Sequence, residues 1–251
     1  MKRMPLPFVS LAPAAIAPVV LTCEHATCRL PPHIRPSREE REVLRAHWGW
    51  DIGAWALTRR LARDLQCGAV GGRWSRLWVD LNRRIDNPTL SRREVVGIPL
   101  SWNRRLGPPQ LERRVLAFHA PYHAEVDRLI LRRVVRGIRP LIFSAHSYTP
   151  VLARRRRRFD IGILYERDLA AARLLARRLR GAGLSVRYNE PYSGMAGMMY
   201  SVDRHAKHHG LPCLELEVNQ RLFDAPRSVD RLGALVAPAV AELVAGDAGS
   251  W

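Results

Sequence analysis

Short apolar runs alternate along the chain with longer stretches in which apolar residues recur at helical spacing. Strand-length runs fall at Val19–Thr22, Leu77–Asp80, Leu141–Ser144, Ile161–Tyr165, Ser185–Tyr188 and Cys213–Val218. Helical periodicity predicts helices over Ser37–Ala46, Trp50–Leu65, Pro109–Val135, Asp168–Arg180, Ser201–His209 and Ser228–Ala245. Ser37 with Glu40 three residues later matches a capping box, Asp168 is placed to cap the helix after it, and Gly181 and Gly183 stop that helix. Continuous apolar strands separated by helices predict an α/β fold, with a mixed, mostly parallel sheet and helices on both faces. In such sheets polar chemistry collects beyond the carboxyl ends of the strands. No repeat or long linker breaks the pattern, and residues 87–109, the loosest stretch, read as an excursion from the core.

With 251 residues and 47% hydrophobic content the chain can bury one sizeable core. The expectation is a flexible N-terminal extension over residues 1–17 and a single domain over 18–251. The start of the chain imitates a signal peptide, but Pro5, Pro7, Pro13 and Pro18 interrupt its apolar stretch, which runs directly into the Val19 strand. No run reaches the roughly 18 apolar residues of a membrane span. Four cysteines, Cys23, Cys28, Cys67 and Cys213, are too few for a disulfide scaffold and show no paired CxxC spacing. They read as reduced thiols in the cytoplasm.

The net charge of +18 changes the picture only in part. Of the 41 basic residues only Lys2 and Lys207 are lysines, an arginine bias that looks more like the codon usage of a GC-rich genome than like selection for a ligand. The run Arg154–Arg158 is the best support for a polyanion partner. The other arginines are scattered through predicted helices without a nucleic-acid-binding motif, which favours a solvated basic surface over nucleic-acid binding.

Polar residues gather at the strand ends. The first strand runs into Glu24 and His25, the strand at Leu141 into His146, and the run at Leu77 into Asp80, Asn82 and Arg83. Glu215 and Glu217 alternate along the last strand and so point to one face. Burying a carboxylate or imidazole is costly without a partner. Two histidines and a carboxylate are the donor set of catalytic zinc with one position left for water, and an Arg/Asn pair suits a substrate carboxylate. Together they predict metal-assisted hydrolysis of an amide beside a carboxylate.

The segments VVLTCEHA, HWGWDIGA, SRLWVDLNR, FHAPYH, IFSAHSYTP and LELEVNQRLF, in this order, resemble the N-formylglutamate amidohydrolase (deformylase) family over about residues 18 to 224. The resemblance implies a zinc-carboxypeptidase-like (phosphorylase/hydrolase-like) fold, also that of aspartoacylase, with one zinc per chain. It implies release of an acyl group, formyl in the named member, from a small N-acyl amino acid. His25 then resembles the first zinc ligand and His146 the last. In carboxypeptidase relatives a glutamate ligand follows the first histidine by three residues, where this chain has Cys28. Asp51 is the candidate for the missing carboxylate, with Glu24 and Cys28 as alternatives. Asp51 reads equally as a charge favoured by a helix N-terminus.

Glu217 resembles the catalytic glutamate, acting as general base and acid, with Glu215 on the same face. Asn82 and Arg83 resemble the pair that grips the substrate carboxylate. Arg76 is a second cation, able to polarise the scissile carbonyl. Residues 188–210 read as a loop over the cleft from which Arg204 or His205 could reach substrate. His119 and His123, with Pro121 between them suggesting a helix start, read as packing or support. The alternative is a basic polyanion-binding protein with a degenerate hydrolase site.

Overall fold

The computed structural model describes residues 5–13 and 15–245. The last six residues of the expected domain, and parts of the expected extension, lie outside them. The elements in chain order are β1 (Phe8–Leu11), β2 (Val19–Cys23), α1 (Arg38–Arg45), α2 (Ala54–Asp64), β3 (Gly68–Gly72), β4 (Glu94–Val95), β5 (Ile98–Pro99), α3 (Pro108–Arg114) and α4 (Ala120–Val134). They continue with β6 (Leu141–Tyr148), β7 (Val151–Leu152), β8 (Arg155–Arg156), β9 (Ile161–Leu164), α5 (Leu169–Gly181), β10 (Val186–Tyr188), α6 (Tyr200–His209), β11 (Cys213–Asn219) and α7 (Ser228–Ala245). A seven-stranded sheet has the order β1-β3-β2-β6-β11-β9-β10. The middle strands β3, β2, β6 and β11 run parallel, while β1 is antiparallel at one edge and β9 and β10 are reversed at the other. This is the mixed, mostly parallel sheet that the apolar runs predict.

Alternation along the strands divides the core in two. Val19 and Leu21 of β2, Phe143 of β6 and Leu214 and Leu216 of β11 pack against α2, α5 and α7 on one face. Val20, Ile142 and Cys213 point the other way, towards Tyr122, Val126 and Leu129 of α4 and Val202 and Ala206 of α6. The capping box holds: the Ser37 hydroxyl accepts from the Glu40 amide, and the Glu40 carboxylate accepts from the Ser37 amide at 2.6 Å. Among the described residues no helix is long and apolar enough to cross a membrane.

The structure corrects the sequence reading in several places. Phe8–Leu11 is not a loose extension, because it pairs with Ala69–Gly72 of β3 and closes that edge of the sheet. β3 itself, GAVGG, escapes the pattern because three of its five residues have no side chain to pattern. Leu77–Asp80 is buried but is a series of turns rather than a strand. Its carbonyls bond to side chains instead of a ladder: Leu77 O accepts from Asn103 Nδ2 at 2.7 Å and Trp102 Nε1 at 3.1 Å, and Trp78 O from Ser91 Oγ and Arg114 Nη1.

Pro121 does not start a helix. α3 continues through a π-helical turn at Val115–His119 into α4. Proline lacks the amide that would bond four residues back and its ring crowds that carbonyl. The wider turn absorbs this, and the Ala120 amide bonds Val115 O instead.

Candidate active site

Register builds the site. Parallel pairing sets Glu217 beside His146 and Glu215 beside Ser144, while Thr22 of β2 pairs with Ser144 from the other side. With a side-chain period of two, Ser144, His146, Glu215 and Glu217 all stand on the face that α4 and α6 cover. Glu24 and His25 follow β2 directly at its carboxyl end. Asp51 comes from the turn before α2 and is tied to its neighbour through its own backbone, the Asp51 amide donating to His25 O at 3.0 Å. Each of these polar residues is buried.

The two imidazoles are held alike. His25 Nε2 lies 2.7 Å from Asp80 Oδ1, and His146 Nε2 lies 2.9 Å from Glu24 Oε2. Their Nδ1 atoms converge on one oxygen, Asp51 Oδ2, at 3.3 and 2.7 Å. A carboxylate can only accept, so each Nε2 carries the proton it donates, and a neutral ring then turns its Nδ1 lone pair towards Asp51. Lone pairs facing an anionic oxygen repel unless a cation lies among them or the rings take a second proton. Imidazoles whose far nitrogens donate to carboxylates are the usual arrangement of metal-ligating histidines. His25, Asp51 and His146 offer ligand atoms that all lie within 4.8 Å of one another, so these residues could hold a metal ion. His146, Glu215 and Glu217 form a second such group.

The electrostatics agree. Glu24, Asp51, Asp80, Glu215 and Glu217 crowd one buried region, and Arg76 reaches it, 3.1 Å from Asp51 Oδ1 and 3.5 Å from Asp80 Oδ2. Burial alone would raise the Glu24 carboxyl, but hydrogen bonding to His146 and the charge on that ring hold it well below the usual carboxylate range. Burial would lower His146, yet the surrounding carboxylates, Glu215 foremost, hold it well above its ordinary value. Glu215 is pushed up to about 7, chiefly by burial. Burial, reinforced by the Asp51 and Glu215 charges, also pushes Glu217 well above the carboxylate range. Glu217 Oε2 is buried without a hydrogen-bond partner. A buried acceptor of that kind is costly unless it has work to do.

A cavity of about 230 Å³ opens on this cluster. His25, Asp51, Arg76, Asn82, Arg83, His146, Glu215 and Glu217 line it, as do Arg92, His47, Tyr148, Tyr192 and Met198. Most residues singled out from the sequence therefore meet in one cleft. Glu24 lies behind His146 rather than in the cavity, and Cys28 lines a separate surface hollow with Pro31, Pro36 and Trp74. Arg204 is not brought to the cleft either. It lines another cavity, with Asp127, His205 and His208. His205 is buried between Asp127, 2.7 Å from its Nδ1, and His123, 2.9 Å from its Nε2.

Further supports join residues far apart in the chain. The Tyr122 hydroxyl donates to Glu24 Oε1 at 2.9 Å, and Ser144 Oγ donates to Glu24 Oε2 at 2.7 Å. His119 Nε2 bonds the Arg83 carbonyl at 3.0 Å. The Asn82 side chain is fully engaged, accepting from the Ser201 amide at 2.8 Å and donating to Met198 O and Glu215 Oε2. Arg92 enters the cleft from residues 87–109, the stretch set aside as an excursion.

The chain is similar over nearly its whole length to two solved structures. One is the Agrobacterium tumefaciens gene product Atu2144, at 28% identity and a TM-score of 0.85, covering 95% of this chain and 96% of that one. The other is an N-formylglutamate amidohydrolase from Ralstonia eutropha JMP134, at 18% identity and a TM-score of 0.74, covering 95% and 98%; at that identity the likeness is one of fold. No curated protein matches. The model of the N-formylglutamate amidohydrolase family matches residues 17–223, which take in every residue of the cleft. The chain belongs to the N-formylglutamate amidohydrolase family, a family of hydrolases.

Proposed function

We propose that this chain is a zinc-dependent amidohydrolase that cleaves the acyl group from a small N-acyl amino acid of the N-formylglutamate type. The observation that carries this reading is the convergence of two carboxylate-held imidazoles on Asp51, beside a buried glutamate oxygen with no partner. His25, Asp51 and His146 would hold one zinc ion, which when bound polarises a carbonyl and lowers the pKa of water to roughly 7. Asp80 and Glu24 fix the two rings from behind. Glu217 takes a proton from the attacking water on its free Oε2 and returns it to the departing amine. Burial raises its pKa above the ordinary carboxylate range, which strengthens it as the group that takes up and holds the proton.

Arg76 stands on the same cleft wall as the metal-ligating residues and would draw on the scissile carbonyl oxygen. Arg83, joined by Arg92, grips the substrate carboxylate, since guanidinium pairs with carboxylate through two parallel bonds. Asn82 serves that grip by tying the Arg83 loop to the start of α6. The small volume of the cleft favours a single acyl amino acid at the reacting end. Four free cysteines, three of them buried, accord with a cytoplasmic enzyme. A degenerate site used only for polyanion binding is the weaker reading, because Asp51 supplies a third donor within reach of both imidazoles.

The test is formate release from N-formylglutamate by the wild type and by Glu217→Gln. The variant should lose about 10²- to 10⁴-fold in kcat while holding as much zinc as the wild type. Equal turnover would remove Glu217 from the mechanism.

A further inference from the structure

Glu217 Oε2 is not the only buried atom of the cleft that lacks a partner. His47 lines the same cavity, and its Nε2 is likewise buried without a hydrogen-bond partner. Neither the candidate metal site nor the acid–base step uses this ring. It belongs to the segment HWGWDIGA, of which only Asp51 takes part in them.

The turn that carries the ring is also the turn that carries Asp51, and it is pinned throughout. After α1 ends at Arg45, the Gly49 amide donates to Ala46 O at 3.0 Å and Trp50 Nε1 to Arg45 O at 3.0 Å. Gly49 O accepts from Ser75 Oγ at 2.7 Å, and the Asp51 amide donates to His25 O at 3.0 Å. A Cβ at Gly49 would stand 2.1 Å from Leu44 O, so the turn lies hard against the last turn of α1. Trp48 packs on the cluster of Leu77, Val95 and Leu100, and the His47 ring lies against Trp48 with centroids 4.3 Å apart. His47 is therefore held as firmly as Asp51, four residues on.

Held there, Nε2 finds no acceptor in the protein. Asp51 is the carboxylate whose charge reaches the ring, and both its oxygens are engaged, Oδ1 by Arg76 and Oδ2 by His25 and His146. The other charges that reach it are cations. They are Arg76 and Arg157, whose guanidinium lies 5.7 and 5.4 Å from the ring centroids of Tyr148 and Tyr192 on the cleft wall. Burial first, and then these two arginines, lower the His47 pKa from its ordinary value, so the ring is neutral and offers one N–H and one lone pair. A buried nitrogen of this kind destabilises the fold unless something outside the protein satisfies it. Donors around a gap gather an acceptor into it, and a small N-acyl amino acid brings oxygens on its acyl group and on its carboxylates.

We infer that His47 is a further substrate-contacting residue, its Nε2–H donating to an oxygen of the acyl amino acid that the cleft receives. For the identity of that substrate the inference rests on the amidohydrolase reading above. The oxygen belongs either to the scissile carbonyl, on which Arg76 draws, or to a carboxylate, and kinetics separate the two.

The test measures kcat and KM for N-formylglutamate in the wild type, His47→Leu and His47→Gln, with the zinc content and denaturant unfolding of each. Leucine keeps much of the bulk and removes both nitrogens, whereas glutamine returns an amide N–H close to the place of Nε2. His47→Leu should lose about 10²-fold in kcat/KM with zinc retained. It should unfold at the same denaturant concentration as the wild type or a higher one, because carbon replaces an unpartnered buried nitrogen. His47→Gln should recover about tenfold of the loss. A loss in kcat places the oxygen on the scissile carbonyl, and a loss carried by KM places it on a carboxylate. Unchanged kcat and KM in His47→Leu, a loss that accompanies lower stability or lost zinc, or glutamine no better than leucine, overturns the inference.

If the wild type does not cleave N-formylglutamate, calorimetric binding of that compound to the zinc-loaded proteins reads the contact without turnover. Weaker binding by His47→Leu then upholds the contact, and the amidohydrolase reading fails alone. Equal binding in the two proteins, or no binding in either, overturns the inference.

Discussion

At the scale of single residues, the site depends on what stands behind each imidazole. Nε2 of His25 is committed to Asp80 and Nε2 of His146 to Glu24, so neither ring can turn its other nitrogen away from Asp51. Glu24 is held in turn by Tyr122 and Ser144. Asp80→Asn keeps the shape but removes the charge that makes His25 a stronger ligand. It should weaken zinc binding by about 10- to 100-fold, measured by competition with a chelator; unchanged affinity would show that Asp80 has no part in the site. The sequence made His25, His146, Glu215 and Glu217 legible, because strand ends and a period of two put polar residues where a buried sheet has no use for them. Asp51 was legible through the HWGWDIGA segment as the candidate for the missing carboxylate, with a helix N-terminal charge reading equally well. The partnerships of Asp80 and Tyr122 were not legible at all, since they join positions 55 and 98 residues apart with no spacing to betray them.

At the scale of elements, β9 determines where Glu217 can stand. Gly162 pairs with Glu217 across the antiparallel edge of β11. A Cβ at Gly162 would sit 1.9 Å from the Glu190 carbonyl oxygen and 3.2 Å from the Glu217 Cβ, and backbone cannot yield as a flexible side chain does. Gly162→Ala should cost about 1–3 kcal/mol in denaturant unfolding and lower kcat with bound zinc retained. A variant as stable and active as the wild type would contradict this packing.

α4 and α6 are joined by Asp127, which accepts from His205 at 2.7 Å and His209 at 3.0 Å. Burial would raise the Asp127 carboxyl, but the two histidines, His205 foremost, hold it at about 2 against an ordinary 3.8. A depressed carboxylate stabilises above its unfolded pKa and loses that contribution as pH falls through the folded one. The stability gap between wild type and Asp127→Asn should therefore be level above about pH 5 and close between about pH 4 and 2. A gap that widens on acidification would refute the assignment. Helix α7 was legible to the residue, whereas the π-helical turn before α4 was not, because a proline inside a helical pattern ends a helix more often than it widens one.

For the whole molecule, the fold class followed from uninterrupted apolar strands, which only a sheet covered on both faces can bury. The reversed edge of β9 and β10 did not, since pairing direction leaves no mark on an apolar run. The basic surface, which first suggested a nucleic-acid partner, holds some arginines that face carboxylates, Arg84, Arg128, Arg178 and Arg221 among them, and many others that form no ion pair among the described residues. The overall architecture brings strand ends, the turn before α2 and residues 87–109 to one pocket, and places His25, Asp51 and His146, which could hold a metal ion, on three separate segments. A bound ion would therefore tie the fold together and add stability in proportion to its occupancy.

The most direct test of the central claim is zinc content by elemental analysis, after saturation and exhaustive dialysis, of the wild type beside His146→Ala. The account predicts close to one zinc per chain in the wild type and far less in the variant. A wild type that retains none, or a variant that retains as much, would contradict it.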